Sequence, residues 1–354
     1  MVRIPALALI CTLGACSGPS YYLQAISGQW KLLHARRDVQ SVLDDPATRP
    51  ELAADLAGAM QIIAFARDQL YLAGNDSYSS FVQVEGDALV WNVVATEEFS
   101  LEAKKWCFPV AGCVPYRGYF KQQKARDFAG QLRKRGMDVF VSPAAAYSTL
   151  GWFSDPLLST LFSGSDLQLA AYLFHELAHQ RLYIRGDSQF NESYASFVEK
   201  TGVESWLTIN QRQDELFHWR QLQDASKDFN QLMDKTRNAL AKLYQSDKTE
   251  SVKRKLKASI FDSLVDGITQ LSIGKWGGRS YFKGWSAEML NNARLALYNT
   301  YEGGHCGFDA LFDEAQGNLD EFHRLAEQKS RLPEEDRKKW LQQPCTGIAN
   351  EDDP

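Results

Sequence analysis

Between Leu167 and Leu182 an apolar run carries two histidines and a glutamate as His175-Glu176-Leu177-Ala178-His179. No other stretch limits the fold so strongly. Leu167, Leu169, Ala170, Ala171, Leu173, Phe174, Leu177 and Ala178 predict a buried helix, with Asp166 as its N-cap after Ser163-Gly164-Ser165 and Gly186 as its stop. Residues four apart share a helix face, so His175 and His179 can both hold one Zn2+. A glutamate and two imidazoles inside an apolar helix are costly unless something pairs with them. A metal is one partner. The alternative is two core histidines satisfied by hydrogen bonds, with Glu176 paired to Arg181. With a metal, Glu176 is placed to act as a base on a water at the open coordination position.

A catalytic zinc site needs a third protein ligand. Glu192 lies thirteen residues after His179, in Asn191-Glu192-Ser193-Tyr194-Ala195. Loop signals at Gly186-Asp187-Ser188 separate the two segments, and Phe190 to Leu207 reads as a second helix. So short a connection predicts antiparallel neighbours with Glu192 facing the histidines. Asp187 and Glu199 are rival carboxylates. Glu199 lies two turns beyond Glu192 and is read as a group that holds a histidine N–H or a helix end, or else as a solvated helix carboxylate.

These residues resemble the gluzincin metallopeptidases, in which the glutamate of an N-E-x-x-A/S segment is the third zinc ligand. The spacing here is shorter, so the connecting loop must be tighter. The chain also resembles the proteobacterial predicted-aminopeptidase lipoproteins, through Trp91-Asn92-Val93-Val94-Ala95, Trp106-Cys107-Phe108-Pro109-Val110-Ala111-Gly112-Cys113, Tyr116-Arg117-Gly118-Tyr119-Phe120 and Asn291-Asn292-Ala293-Arg294-Leu295. The resemblance implies one Zn2+ per chain on His175, His179 and Glu192, Glu176 as general base, and a peptide or protein substrate. It also implies a tyrosine or histidine donor for the oxyanion downstream of the third ligand. Tyr301 is the first choice, with Tyr298 and His305 as neighbours. An edge strand should precede the zinc helix, at Met137 to Val141 or Tyr147 to Leu150, with Pro143 blunting the ladder between them. No G-x-M-E-N segment is present, which leaves endopeptidase action open beside aminopeptidase action.

The N-terminus has Arg3, an apolar run from Ile4 to Leu13, then Leu13-Gly14-Ala15-Cys16, which resembles a bacterial lipobox. The run is too short to span a bilayer. It predicts a signal peptide over residues 1–15, a lipid anchor on Cys16, and an outer-membrane lipoprotein facing the periplasm. The net charge of −5 gives no electrostatic case for nucleic acid. That compartment permits disulfides. Four further cysteines allow three pairings, of which Cys107–Cys113 and Cys306–Cys345 are favoured by proximity.

The remaining pattern is α+β: a gluzincin-like small sheet beside a predominantly α-helical body with a long helical hairpin. Residues 16–202 form an N-terminal α+β region with the zinc-site helices, and 203–354 a helical C-terminal region, packed as one catalytic unit. Helices are expected at Tyr21–Val42, Pro50–Leu72, Lys121–Arg135, Ser286–Tyr301 and Phe308–Ser330. Strands are expected at Phe81–Val84, Ala88–Thr96, Val114–Phe120 and Met137–Val141. Val203 to Leu271 reads as the hairpin, turning at Ser246-Asp247.

Overall fold

The computed structural model describes residues 19–72, 74–108, 112–144, 154–301 and 305–341. In chain order its first half contains α1 (Pro19–His34), β1 (Arg37–Asp38), α2 (Val39–Leu43), α3 (Pro50–Asp68), β2 (Ser80–Val82), β3 (Val90–Thr96), β4 (Trp106–Phe108), β5 (Gly112–Val114), β6 (Arg117–Tyr119), α4 (Gln122–Arg133), β7 (Asp138–Ala144) and β8 (Leu157–Leu158). The second half is helical: α5 (Asp166–Arg181), α6 (Ser188–Ile209), α7 (Gln213–Gln245), α8 (Glu250–Gly274), α9 (Asn292–Tyr301), α10 (His305–Glu314), α11 (Leu319–Ser330) and α12 (Glu334–Leu341). Small mixed sheets beside so many helices make this an α+β fold.

β3 is the centre of an antiparallel sheet in the order β6-β3-β7, with β7 in register from Val90 opposite Ala144 to Thr96 opposite Asp138. Pro143 lies within β7, opposite Trp91, and does not end it. β7 is an edge strand, where a residue without an N–H is tolerated. A second sheet runs β1-β2-β8, with β2 and β8 parallel. β4 and β5 form a hairpin in which Cys107 faces Cys113, and these two form a disulfide as expected. Cys345 and the segment Tyr147–Leu150 lie outside the described residues.

The largest core packs α5 and α6 against each other and against α3, α10 and α11. Leu169, Ala170, Leu173, Phe174, Leu177 and Ala178 of α5 are all buried, as the apolar run requires. Gly202 permits the close approach of α6. A Cβ there would stand 2.7 Å from Leu70 and 2.9 Å from the Phe174 ring. The long helices α7 and α8 form the expected hairpin, but it starts at Gln213 and not at Val203, because α6 continues to Ile209 and Gln211 at positive φ separates the two helices. Phe229, Met233 and Leu240 pack with Phe261 and Leu264, under Trp276, Leu290 and Leu295. Lys257 fastens this hairpin to the β3 sheet, donating to Asp138 Oδ2 at 2.6 Å and to the Glu98 carbonyl at 2.7 Å.

Several boundaries differ from the sequence expectation. The helix expected over Tyr21–Val42 breaks after His34, because Arg37 and Asp38 pair with β2 and Asp38 then caps α2 through the Ser41 N–H. The expected strand Val114–Phe120 is two strands, one on the disulfide hairpin and one on the β3 sheet. The helix over Phe308–Ser330 is broken at Gln316 and Gly317, both at positive φ, and Asn318 caps its second half. α12 was not anticipated.

Candidate metal centre

α5 begins at Ser165, not at the expected cap Asp166. The Ser165 side chain accepts from the Gln168 N–H, and Gln168 returns a bond to the Ser165 N–H. Asp166 instead pairs with Arg212. The helix ends at Arg181, before Gly186, which lies at positive φ in the following turn. α6 also starts earlier than expected. Asp187, a rival third ligand in sequence, caps it by accepting from the Phe190 N–H at 3.1 Å. The other Asp187 oxygen takes two bonds from Arg337, both at 2.8 Å, in a buried pair. Asp187 is thus committed to the helix joint.

Asn191 closes the tight loop. Its side-chain amide donates to the Ile184 carbonyl and accepts from the Ile184 N–H, each at 2.8 Å. With the loop clamped at both ends, the next residue, Glu192, is turned toward α5. The glutamate oxygen Oε2 stands 3.3 Å from His175 Nε2 and 3.6 Å from His179 Nε2, and the two nitrogens are 3.2 Å apart. Four ligand atoms at zinc bond lengths of about 2.1 Å in a tetrahedron are spaced by roughly 3.4 Å. The spacing of the three donors therefore matches one face of such a tetrahedron, and an ion held by them would keep a position open. Among the described residues this is the group of histidine and acidic side chains that converges as a metal site would.

The charge balance agrees. Burial opposes a charge on His175, but its hydrogen bonds to Glu192 and then to Glu199 outweigh it and push the imidazole up to about 10. Burial likewise opposes a charged Glu192, yet His175 and His179 hold its carboxyl down to about 2. The carboxylates of Glu192 and Glu199 thus set negative charge against the imidazole pair. Glu199 Oε2 accepts from His175 Nδ1 at 3.1 Å, which points the ring's Nε2 toward Glu192 and His179. Of the two roles read for Glu199, the structure shows the one that holds a histidine N–H.

A cleft of about 670 Å3 opens beside this centre. Gln168, Ala171, Tyr172, His175 and Glu176 line it from α5, Glu199 from α6, and Trp219 and Leu222 from α7. Among the described residues β7 contributes nothing to this lining, and the other expected edge segment, Tyr147–Leu150, lies outside the described residues. Glu176 faces the cleft from within the apolar helix, one residue from a donor. Burial first, then the negative charge of Glu176, pushes the Tyr172 phenol well above its ordinary range.

Two tyrosines near the centre escaped the sequence reading. Tyr183 continues the four-residue spacing of His175 and His179, and its ring meets His179 edge-on at 6.3 Å. Tyr116 follows the disulfide hairpin. Burial and then the charge of Glu192 push both phenols up. The stripe 175, 179, 183 was a signal available in the sequence; for Tyr116 there was none. Tyr298 spends its hydroxyl on Asn230 and packs on Phe229 and Trp285. The side chains of Tyr301 and His305 lie outside the described ones.

Comparisons with curated proteins and with solved structures gave no match. A family model described as "Putative aminopeptidase" matches residues 20–341, nearly the whole chain. The matched span takes in α5, α6 and every donor of the centre, and the chain belongs to this family of peptidases.

Proposed function

We propose that the chain is a zinc-dependent peptidase of the bacterial cell envelope. The observation that carries this is the triangle of His175 Nε2, His179 Nε2 and Glu192 Oε2, with edges of 3.2 to 3.6 Å, set beside Glu176 on an open cleft. His175, His179 and Glu192 would hold the ion. When bound, it would lower the pKa of its water and polarise the scissile carbonyl.

Glu176 takes a proton from the attacking water and passes it to the leaving nitrogen. Its neighbours Leu177 and Ala178 are buried, so the helix fixes where the carboxylate starts. Glu199 holds His175 in one tautomer. Tyr183, Tyr116 and Tyr301 are the hydroxyl candidates for the developing oxyanion. The cleft reaches from His175 and Glu176 to Ser165, about three helical turns or roughly 15 Å along α5. That length accepts an extended peptide on one side of the cut bond, which an aminopeptidase and an endopeptidase share. The endopeptidase is the second reading because no G-x-M-E-N segment is present. Export and lipid attachment rest on Leu13-Gly14-Ala15-Cys16, which supports an outer-membrane lipoprotein facing the periplasm.

Mass spectrometry of products from a mixed peptide pool, with and without a chelator, tests the proposal. Chelator-sensitive cleavage supports it, and a pool left intact by the metal-loaded protein refutes it. N-terminally blocked peptides separate the two modes, because a strict aminopeptidase leaves them whole.

A further inference from the structure

α1 has two unlike faces. Its inner face docks on β6: Gln24 donates to the Gly118 carbonyl and accepts from the Phe120 N–H. Tyr21 lies under the Arg117 guanidinium at 4.0 Å, and a Cβ on Gly28 would run into the Phe120 ring at 2.2 Å. Leu32, further along the same face, is buried. The outer face carries Leu23, Ile26 and Trp30, exposed by 67, 65 and 62 %. At about 100° per residue these three fall within an arc of roughly 60°. The Trp30 ring packs against His34, tilted by 34° with centroids 4.0 Å apart, and exposed Lys31 follows it in the chain. A leucine, an isoleucine and a tryptophan together in water form an apolar stripe that calls for a partner.

The position of the stripe in the chain names the partner. Cys16 precedes Pro19, the first residue of α1, by three residues. A fully extended chain covers at most about 3.6 Å per residue, so a lipid on Cys16 keeps the start of α1 within roughly 11 Å of its anchor point. We propose that the Leu23–Ile26–Trp30 face of α1 lies in the headgroup region of a phospholipid surface. The inference rests on the lipid anchor proposed above and not on the peptidase reading.

An amphipathic helix in this position sinks its apolar side about 5–10 Å into the headgroup and acyl boundary, where tryptophan is favoured. α1 has sixteen residues, and no helix among the described residues is long and apolar enough to cross a membrane, so α1 lies on the surface. The acyl chains retain the protein; the stripe sets its orientation. Because the inner face of α1 is fastened to β6, the sheet carrying β3 is held at a fixed attitude to the membrane.

The test uses the full-length protein, matured and lipidated in its host and reconstituted into phosphatidylethanolamine–phosphatidylglycerol vesicles. Part of the lipid is brominated high on the acyl chain, and tryptophan fluorescence is read. The wild type is expected to be quenched, and Trp30→Phe to lose at least half of that quenching. Leu23→Ser with Ile26→Ser, both exposed positions, should reduce it as well while circular dichroism stays unchanged. Equal quenching in Trp30→Phe and the wild type overturns the proposal. So does mass spectrometry showing no lipid on Cys16, or cross-linking showing Trp30 buried against a second copy.

Discussion

The α5–α6 pair and the α7–α8 hairpin are both antiparallel helix pairs, yet they spend their polar residues in opposite ways. The hairpin is held by one apolar face around Phe229, Met233, Phe261 and Leu264, and many of its charges, such as Lys227 with Asp224, pair in solvent. The α5–α6 pair buries polar groups and gives each a fixed place. Asp187 meets Arg337, Asn191 meets Ile184, and Tyr194 shares a hydrogen bond with His323 at 2.8 Å. An apolar face makes a rod, which tolerates small shifts of register. Three donors within 4.8 Å of one another tolerate none. The polar clamps of the α5–α6 joint are what this precision requires.

The largest expected effect is at the base. Glu176→Gln should lower kcat/KM by about 10^2- to 10^4-fold while metal content stays at the wild-type level. Unchanged turnover would mean that Glu176 takes no proton in the reaction. Next comes the joint itself. Arg337→Ala leaves Asp187 charged and buried, and should cost about 3–5 kcal/mol in denaturant unfolding. Replacing both partners, with Asp187→Asn so that the α6 cap is kept, should cost less, because no charge is then stranded. If the two variants unfold alike, the clamp is not electrostatic.

The joint should also respond to acid. Burial first holds His323 down to about 4, and the ring stays neutral between Tyr194 and the Leu70 carbonyl. In the unfolded chain histidine titrates near 6.5. The unfolded state therefore takes up the proton first as pH falls. Stability from His323 is complete above about pH 6.5 and is lost down to about pH 4, a total on the order of 3 kcal/mol. Chemical unfolding at several pH values should show that slope in the wild type and a flatter one in His323→Gln.

A smaller change is expected at the orienting carboxylate. Glu199→Gln should weaken zinc binding by about 10- to 100-fold in a competition titration, since His175 loses its acidic partner. The smallest is on the hairpin. Lys227→Ala removes an exposed pair and should leave the unfolding midpoint where it was. A loss there as large as at Arg337 would erase the contrast between the two pairs.

Much of the site could be read from the chain because its parts are close in sequence. His175 and His179 share one face by helical period alone, and a short loop to Glu192 forces neighbouring helices. The hairpin followed from one long apolar repeat. What could not be read comes from distant partners. Arg337 lies 150 residues from Asp187, and His323 lies 129 residues from Tyr194. No local pattern encodes such pairs. The break after His34 was hidden for a related reason, since only pairing with β2 pulls Arg37 and Asp38 out of a helical run. Tyr116 lies in the connection between β5 and β6 and carries no spacing signal of its own.

Zinc content is the most direct test of the central claim. Purified protein loaded with zinc and freed of excess should carry about one ion per chain by inductively coupled plasma mass spectrometry, and His179→Ala and Glu192→Ala, still folded by circular dichroism, should carry almost none. A wild type without zinc, or variants that keep as much as the wild type, would contradict the claim that these three side chains form a metal centre.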